Sequence, residues 1–433
     1  MSEKAKIKAA HNGVLVAGHG NAARAVALSL AAARLPVMIE PQLAEKATDI
    51  PDWQSVLALS PAARTMLETL DIWDRLDQAS SPIWDMQVFG RPSAVNHTAS
   101  QTSGHEAGLL SPQLGFRDPH AETTDAPLGH IVSLAALGRA LGAALQKQIK
   151  TGAINILPAA LADYDAAEKT AQLADGTAIA PALLVDSYRQ APAWRRRQAA
   201  QNLSYDYHAA ALVGQVRATR PHGHMAAQIF LPSGPLALLP LPDTHEMALV
   251  WSLPKPRAQA LANVDADMLA HELAAASEGR FGTLHPLGPM AVQDLHLSLA
   301  QEVSGPGFVV LGDAAHIVHP LAGQGFNLSL RDAAALADTL FEARALGLPL
   351  DDAAMLAGYA RTRQADAALT GAATHGLALL FQGPLAAIGR LGLGLVGRAA
   401  QNRPALRAAM TAQANAGVAN DALPRLMRGT HFS

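Results

Sequence analysis

Two apolar runs near the N-terminus, Val14-Leu15-Val16-Ala17 and Pro36-Val37-Met38-Ile39, flank an Ala- and Leu-rich stretch from Arg24 to Arg34. Unbroken apolar runs of this length read as strands buried on both faces, and the stretch between them is long enough for a helix. The N-terminal pattern is thus strand, helix, strand. Similar runs at Ile154-Asn155-Ile156-Leu157, Leu183-Leu184-Val185-Asp186 and Phe308-Val309-Val310-Leu311 predict further buried strands. Leu128 to Leu145 predicts a strand followed by a helix, and Asp175-Gly176 marks a hairpin turn. Helical spacing from Pro61 to Leu76 places Leu67, Leu70, Ile72, Trp73 and Leu76 on one buried face.

Other segments read differently. A strand is expected near Trp84–Phe89; from Arg91 to Pro127 periodicity is weak and Pro, Ser, Thr, His and Gly dominate. That excursion is either a surface insertion or a segment lying over a substrate site. Ala210–Val216, Met225–Phe230, Leu236–Leu239 and Met247–Trp251 are strand-like and separated by Pro and Gly, which predicts an antiparallel layer. A helix is expected over Asp265–Glu278, and from Ala333 onward the chain is mostly helical.

The 433-residue length is too great for one simple core and points to two domains or a large composite. A net charge of −3 offers no electrostatic footprint for nucleic acid. With no cysteine, disulfides, thiolate catalysis and Cys-ligated metals are excluded. The polar, Lys-bearing start lacks the apolar core of a signal peptide. The longest apolar stretch, Leu377 to Val396, is interrupted by Gln382, Pro384 and Arg390. It reads as a packed helix pair rather than a span, with a peripheral membrane contact as the other reading. The expected location is cytoplasmic, peripheral to the inner membrane if that contact exists.

Two motifs carry chemistry. After the first strand comes Gly18-His19-Gly20-Asn21-Ala22-Ala23, a G-x-G-x-x-A turn opening a helix, with Glu40 ending the next strand 22 residues after Gly18. In a strand–helix–strand context this is a dinucleotide fingerprint. Gly18, Gly20 and Ala23 would bring a pyrophosphate to the helix N-terminus, and Glu40 would hydrogen-bond a ribose. The second motif, Gly312-Asp313-Ala314-Ala315-His316 through Pro320 to Gly323-Gln324-Gly325-Phe326-Asn327, joins a strand to a helix. Glycines before a helix start leave backbone N–H groups for a ligand, and Asp313 can accept from ligand hydroxyls.

This second run resembles the flavin motif of the FAD-dependent aromatic hydroxylases. The resemblance implies that Asp313 binds the ribityl chain of FAD, with Pro320, Gly323, Gln324, Gly325 and Asn327 against the flavin ring and Gly312 shaping the turn. Phe230–Leu241 with Leu249-Val250-Trp251-Ser252, Leu128–Val132, Asp71-Ile72-Trp73 and Tyr359–Arg363 resemble the ubiquinone-biosynthesis branch, over roughly residues 12 to 417. The implied fold is α/β (an α+β composite): a Rossmann-like FAD-binding domain, an inserted antiparallel-sheet substrate domain and a helical C-terminus. The corresponding boundaries are 11–80, 128–187 and 302–375 for the FAD-binding domain, 81–127 and 188–301 for the substrate domain, and 376–433 for the C-terminal segment. The implied reaction hydroxylates a polyprenylated phenolic precursor with NAD(P)H and O2 through a flavin hydroperoxide, with other ubiquinone-biosynthesis proteins as partners. No catalytic side chain and no metal is expected. The alternative is a non-catalytic accessory homologue.

Three positions depart from the family pattern. Ser55 stands where an Arg is usual, Ser133-Leu134 replaces a polar pair, and Asp186-Ser187-Tyr188-Arg189 lacks the Gly that follows the Asp. A serine forced to positive φ there would cost about 1 kcal/mol or more. His316 is read as a structural member of its loop and His319 as a flavin-side contact. His222 and His224 read as exposed loop residues, Arg195-Arg196-Arg197 as a solvated charge run, and Arg331 and Asp338 as surface pairs.

Overall fold

The apolar runs become neighbours in one parallel sheet. The computed structural model describes residues 7–45, 55–90, 114–115, 126–197, 202–320, 323–381 and 423–432. Strand Ile7–Ala17 pairs in parallel with Val37–Ile39 on one side and Ala178–Asp186 on the other. Ile154–Ile156 and Phe308–Val310 extend the sheet at either side. Side chains alternate across the sheet, so Val14 and Val16 face one core while Leu15 and Ala17 face another. Helices Asn21–Ala32, Leu134–Lys150 and Gln324–Ala345 fill the first side through Val26, Leu30, Leu137, Leu141, Leu330 and Leu336. Tyr164, Leu173, Trp194 and Phe308 fill the second. Both faces are covered, which is why these strands read as continuous apolar runs rather than as alternating ones.

A second sheet holds the predicted antiparallel layer. Asn202–Ala218, Met225–Leu231, Gly234–Pro240, Glu246–Pro254 and Ala291–Ala300 pair antiparallel, and Asp85–Gly90 joins in parallel beside Met225–Leu231. Helix Ala266–Ser277 packs on it, capped by Asp265, which accepts from the Met268 N–H at 2.7 Å. A third, small sheet joins Val56–Leu59 and Ser80–Ile83 to Gly129–Ser133.

Several expectations are corrected. The helix expected to reach Leu76 stops at Thr69, because Asp71 turns to a φ of 56° and short 3₁₀ turns follow. Leu67, Ile72, Trp73 and Leu76 are still buried, while Leu70 is only half-buried. His222 is not an exposed loop residue: it is buried, with Nε2 3.1 Å from the Leu241 carbonyl and 3.0 Å from that of Asp243. Most of the 91–127 excursion, and the apolar stretch beyond Phe381, lie outside the described residues.

Candidate functional site

Parallel register sets Ala17 opposite Asp186, and Asp186 opposite Val310. Three strands end level, so the segments that follow them, 18–23, 187–189 and the turn that begins at Gly312, land on one edge. In open α/β sheets that edge, outside the carboxyl ends of the strands, is where ligands bind.

The three segments touch. Gly18 holds a φ of 133°, and a Cβ there would lie 2.3 Å from Ser187 Oγ, so only glycine fits. A Cβ on Gly312 would lie 3.2 Å from the Ala22 methyl carbon. Ser187 does not take a positive φ, so the strain expected from the lost glycine is absent.

Helix Asn21–Ala32 starts after Gly20 with no side-chain cap, and the space around Gly20 is open. Its first-turn N–H groups are thus available to an anionic ligand. Ala23 is fully buried, which lets the helix close on the sheet. Glu40 is fully buried as well. Its Oε2 accepts from the Gly18 N–H at 2.7 Å and its Oε1 from the Leu161 N–H at 2.7 Å. The Tyr188 hydroxyl donates to this carboxylate, 2.7 Å from Oε1 and 2.6 Å from Oε2.

Asp313 is about half exposed, with Arg189 Nη1 3.8 Å from its Oδ2. Beneath it lies a buried ionic cluster. Asp332 Oδ2 accepts from the Gly312 N–H at 3.1 Å and sits 2.6 Å from His316 Nε2; Oδ1 accepts from Arg363 Nε at 2.7 Å. Asp366 links Arg363 to Arg331, each at 2.7 Å. Burial alone would push the Asp332 carboxyl up, but His316 and Arg363 together hold it well below the usual carboxylate range. Arg331 is thus a buried member of this cluster, not a surface residue. Asp338 is partly buried, and its Oδ2 accepts from the Arg425 N–H at 3.0 Å.

Gly323 caps helix Gln324–Ala345 in the left-handed conformation, and the space around Gly325 is open. Asn327 is buried, and its amide is used internally. Nδ2 donates to the carbonyls of Ala58 and Gly323 at 2.7 and 3.1 Å, and Oδ1 accepts from the Ser60 N–H at 3.0 Å. It fixes the turn. Pro320 is half-buried. His319 is fully buried against the Tyr207 ring at 5.0 Å; burial, then His375, bring its pKa down to about 4. Ser55 and Ser133-Leu134 meet: the Ser55 carbonyl accepts from the Leu134 N–H at 3.1 Å, and Ser133 Oγ caps the helix by accepting from the Ala136 N–H at 3.2 Å.

Two residues at the site were not read from the sequence. Arg195 leaves the supposed charge run, nearly buried, to pair with Asp186 at 2.7 Å and donate to the Tyr188 carbonyl at 2.9 Å. Burial pushes the Asp186 carboxyl up to about 6 even against Arg195. The signal that could have separated Arg195 from its neighbours is the adjacent Trp194, which anchors a short helix in the core. Tyr188 carried no signal of its own.

A family model described as an FAD binding domain matches residues 196–365. Ubiquinone hydroxylase UbiL of Rhodospirillum rubrum is 30% identical over 354 residues, covering 79% of this chain and 75% of that protein. The chain belongs to the ubiquinone-hydroxylase branch of the FAD-dependent hydroxylases. A second relative in this branch, ubiquinone hydroxylase UbiM of Neisseria meningitidis, is 25% identical over 93% of this chain and 84% of its own length. The 3-demethoxyubiquinol 3-hydroxylase of Escherichia coli is 36% identical over a shorter match, 38% of this chain and 41% of that protein. PqsL of Pseudomonas aeruginosa, solved with 2-aminobenzoylacetate, has a TM-score of 0.69 at 20% identity, over 88% of this chain and 98% of its own. The p-nitrophenol 4-monooxygenase PnpA of Pseudomonas putida has a TM-score of 0.67 at 14% identity, over 92% and 96%. These two share the fold.

As a member of this hydroxylase branch, the chain is an FAD-dependent monooxygenase. The strand edge suits that cofactor in its uncapped helix start, its outward carboxylate at Asp313 and its buried acid at Glu40. One feature runs against a ready-made site: Glu40 already holds the hydroxyl of Tyr188.

Proposed function

We propose that this hydroxylase acts on a polyprenylated phenolic precursor in ubiquinone biosynthesis, with NAD(P)H as reductant and O2 as oxidant. The observation that carries the reading is the meeting of three flavin-type segments at the ends of adjacent parallel strands. FAD bound there supplies oxygen activation; the protein binds, orients and excludes water. The uncapped start of helix Asn21–Ala32, with Gly18, Gly20 and Ala23, holds the pyrophosphate. Glu40 accepts from the adenosine ribose and Asp313 from the ribityl hydroxyls. Pro320, Gly323, Gln324 and Gly325 line the ring, and Gly312 and Asn327 hold the turn in place.

The parallel-sheet segments 11–80, 128–187 and 302–375 form the FAD-binding unit, 81–127 and 188–301 the substrate unit, and 376–433 a C-terminal segment. The substrate's prenyl tail calls for a peripheral contact with the cytoplasmic side of a membrane, alongside other proteins of the pathway. Among the described residues no helix is long and apolar enough to cross a membrane.

The absorption spectrum of the purified protein tests the cofactor site. Asp313→Ala is expected to lose bound flavin; unchanged flavin content in that variant refutes the ribityl assignment. Product mass after incubation with a prenylated phenol, NAD(P)H and O2 tests the reaction, and the reading requires the gain of one oxygen atom.

A further inference from the structure

We infer that Tyr188 is a displaceable internal ligand of the ribose subsite, which FAD must exchange for its own hydroxyls. The inference rests on the ribose assignment of Glu40 given above.

A fully buried carboxylate needs donors on its oxygens or its charge is prohibitively costly. Glu40 has two backbone donors, Gly18 and Leu161, one on each oxygen. The remaining donor is the Tyr188 hydroxyl, at hydrogen-bond distance from both oxygens at once. A ribose hydroxyl recognised by an acid at the end of the second strand must donate to these same two oxygens. Both cannot sit there together.

The tyrosine is held in place from several sides. Gln42 Nε2 donates to its hydroxyl at 3.3 Å, the His19 ring meets its ring edge-on at 5.6 Å, and Arg195 donates to its backbone carbonyl. Its backbone N–H donates to Asp186 Oδ1 at 2.8 Å. The neighbouring Arg189 lies beside Asp313, the other acid assigned to the cofactor. Residues 188 and 189 thus offer donors to both acids that would receive hydroxyls of FAD.

Such an arrangement satisfies the acid without cofactor and charges a displacement step to binding. A hydrogen bond to a charged group contributes about 1.5–3 kcal/mol. Removing the competing hydroxyl is therefore expected to tighten FAD by about tenfold or more. FMN carries no adenosine and should be indifferent.

The test titrates FAD and FMN into apo wild type and into Tyr188→Phe, following flavin fluorescence, with stopped-flow traces for the FAD arm. Phe keeps the ring against His19, and circular dichroism checks that the variant folds. The expected result is an FAD Kd about tenfold lower in Tyr188→Phe with the FMN Kd unchanged. Wild type should also show an FAD-binding rate that saturates with concentration, a displacement step absent from the variant. Equal FAD affinity in the two proteins overturns the inference while leaving the Glu40 assignment intact. Weaker FAD binding in the variant also overturns it, because the hydroxyl would then be a contact to the cofactor. If Glu40→Gln leaves FAD affinity unchanged, the ribose assignment itself falls and the inference with it.

Discussion

At the scale of single residues, the two glycines of the first turn separate packing from binding. Gly18→Ala meets both a φ of 133° and an oxygen 2.3 Å away, so it should destabilise the protein by about 2 kcal/mol or more in urea unfolding. Gly20→Ala meets nothing within 4 Å and keeps only the φ penalty, about 1 kcal/mol. Its larger effect should be on FAD affinity, read by fluorescence, because the added methyl enters the open space at the uncapped helix start, where the proposed site holds the pyrophosphate. The glycines and Glu40 were legible because the fingerprint is local: a turn, a helix and an acid within one strand–helix–strand unit. Tyr188 was not legible, because its partner lies 148 residues away in the chain and no spacing rule links them.

At the scale of elements, the buried cluster welds the Gly-Asp turn to two helices. His316 and Gly312 come from the turn, Arg331 and Asp332 from helix Gln324–Ala345, and Arg363 and Asp366 from helix Ala353–Phe381. Arg363→Leu would leave two buried carboxylates short of a partner, and such breaks cost about 3–5 kcal/mol. A lower urea midpoint with loss of bound flavin is expected; loss of stability with full flavin retention would detach the cluster from the site. The chain read as mostly helical from Ala333 onward, but no sequence signal set the packing of one helix on the next, so Arg331 read as a surface residue. The antiparallel layer was legible because its strands are short and punctuated by Pro and Gly. The full length of Asn202–Ala218 was not, since its first residues are exposed and mix polar side chains with Leu203 and Tyr205.

At the scale of the whole molecule, acid should unfold this protein through histidines. His130 and His319 are buried, with burial first and then Arg64 and His375 bringing each pKa from 6.5 down to about 4. The unfolded chain takes up those protons first, so stability is present above pH 6.5 and is lost as pH falls toward about 4. Each histidine adds a slope of up to about 1.4 kcal/mol per pH unit. Asp186, raised from 3.8 to about 6, and Asp338, which burial also raises, work the other way over that range, but against them stand three histidines, since burial lowers His222 as well. The melting temperature should therefore drop between pH 6.5 and 4, and His130→Phe should flatten the decline; an unchanged slope in the variant would remove His130 from this account. The sheet order carries a further consequence, for biosynthesis. Strand Phe308–Val310 completes the cofactor edge, and Arg363 must arrive after it to support the Gly312 turn. A ribosome must therefore release most of the chain before a flavin pocket exists. Until then Leu184–Asp186, the end of strand Ala178–Asp186, lacks a neighbour on one side, while its start is already paired with Thr170–Leu173; that short open edge is an invitation to wrong partners during slow long-range pairing. Flavin loading therefore waits until the chain has been made past Arg363, and FAD present during the earlier part of synthesis should not protect nascent chains from aggregation, whereas chaperones should.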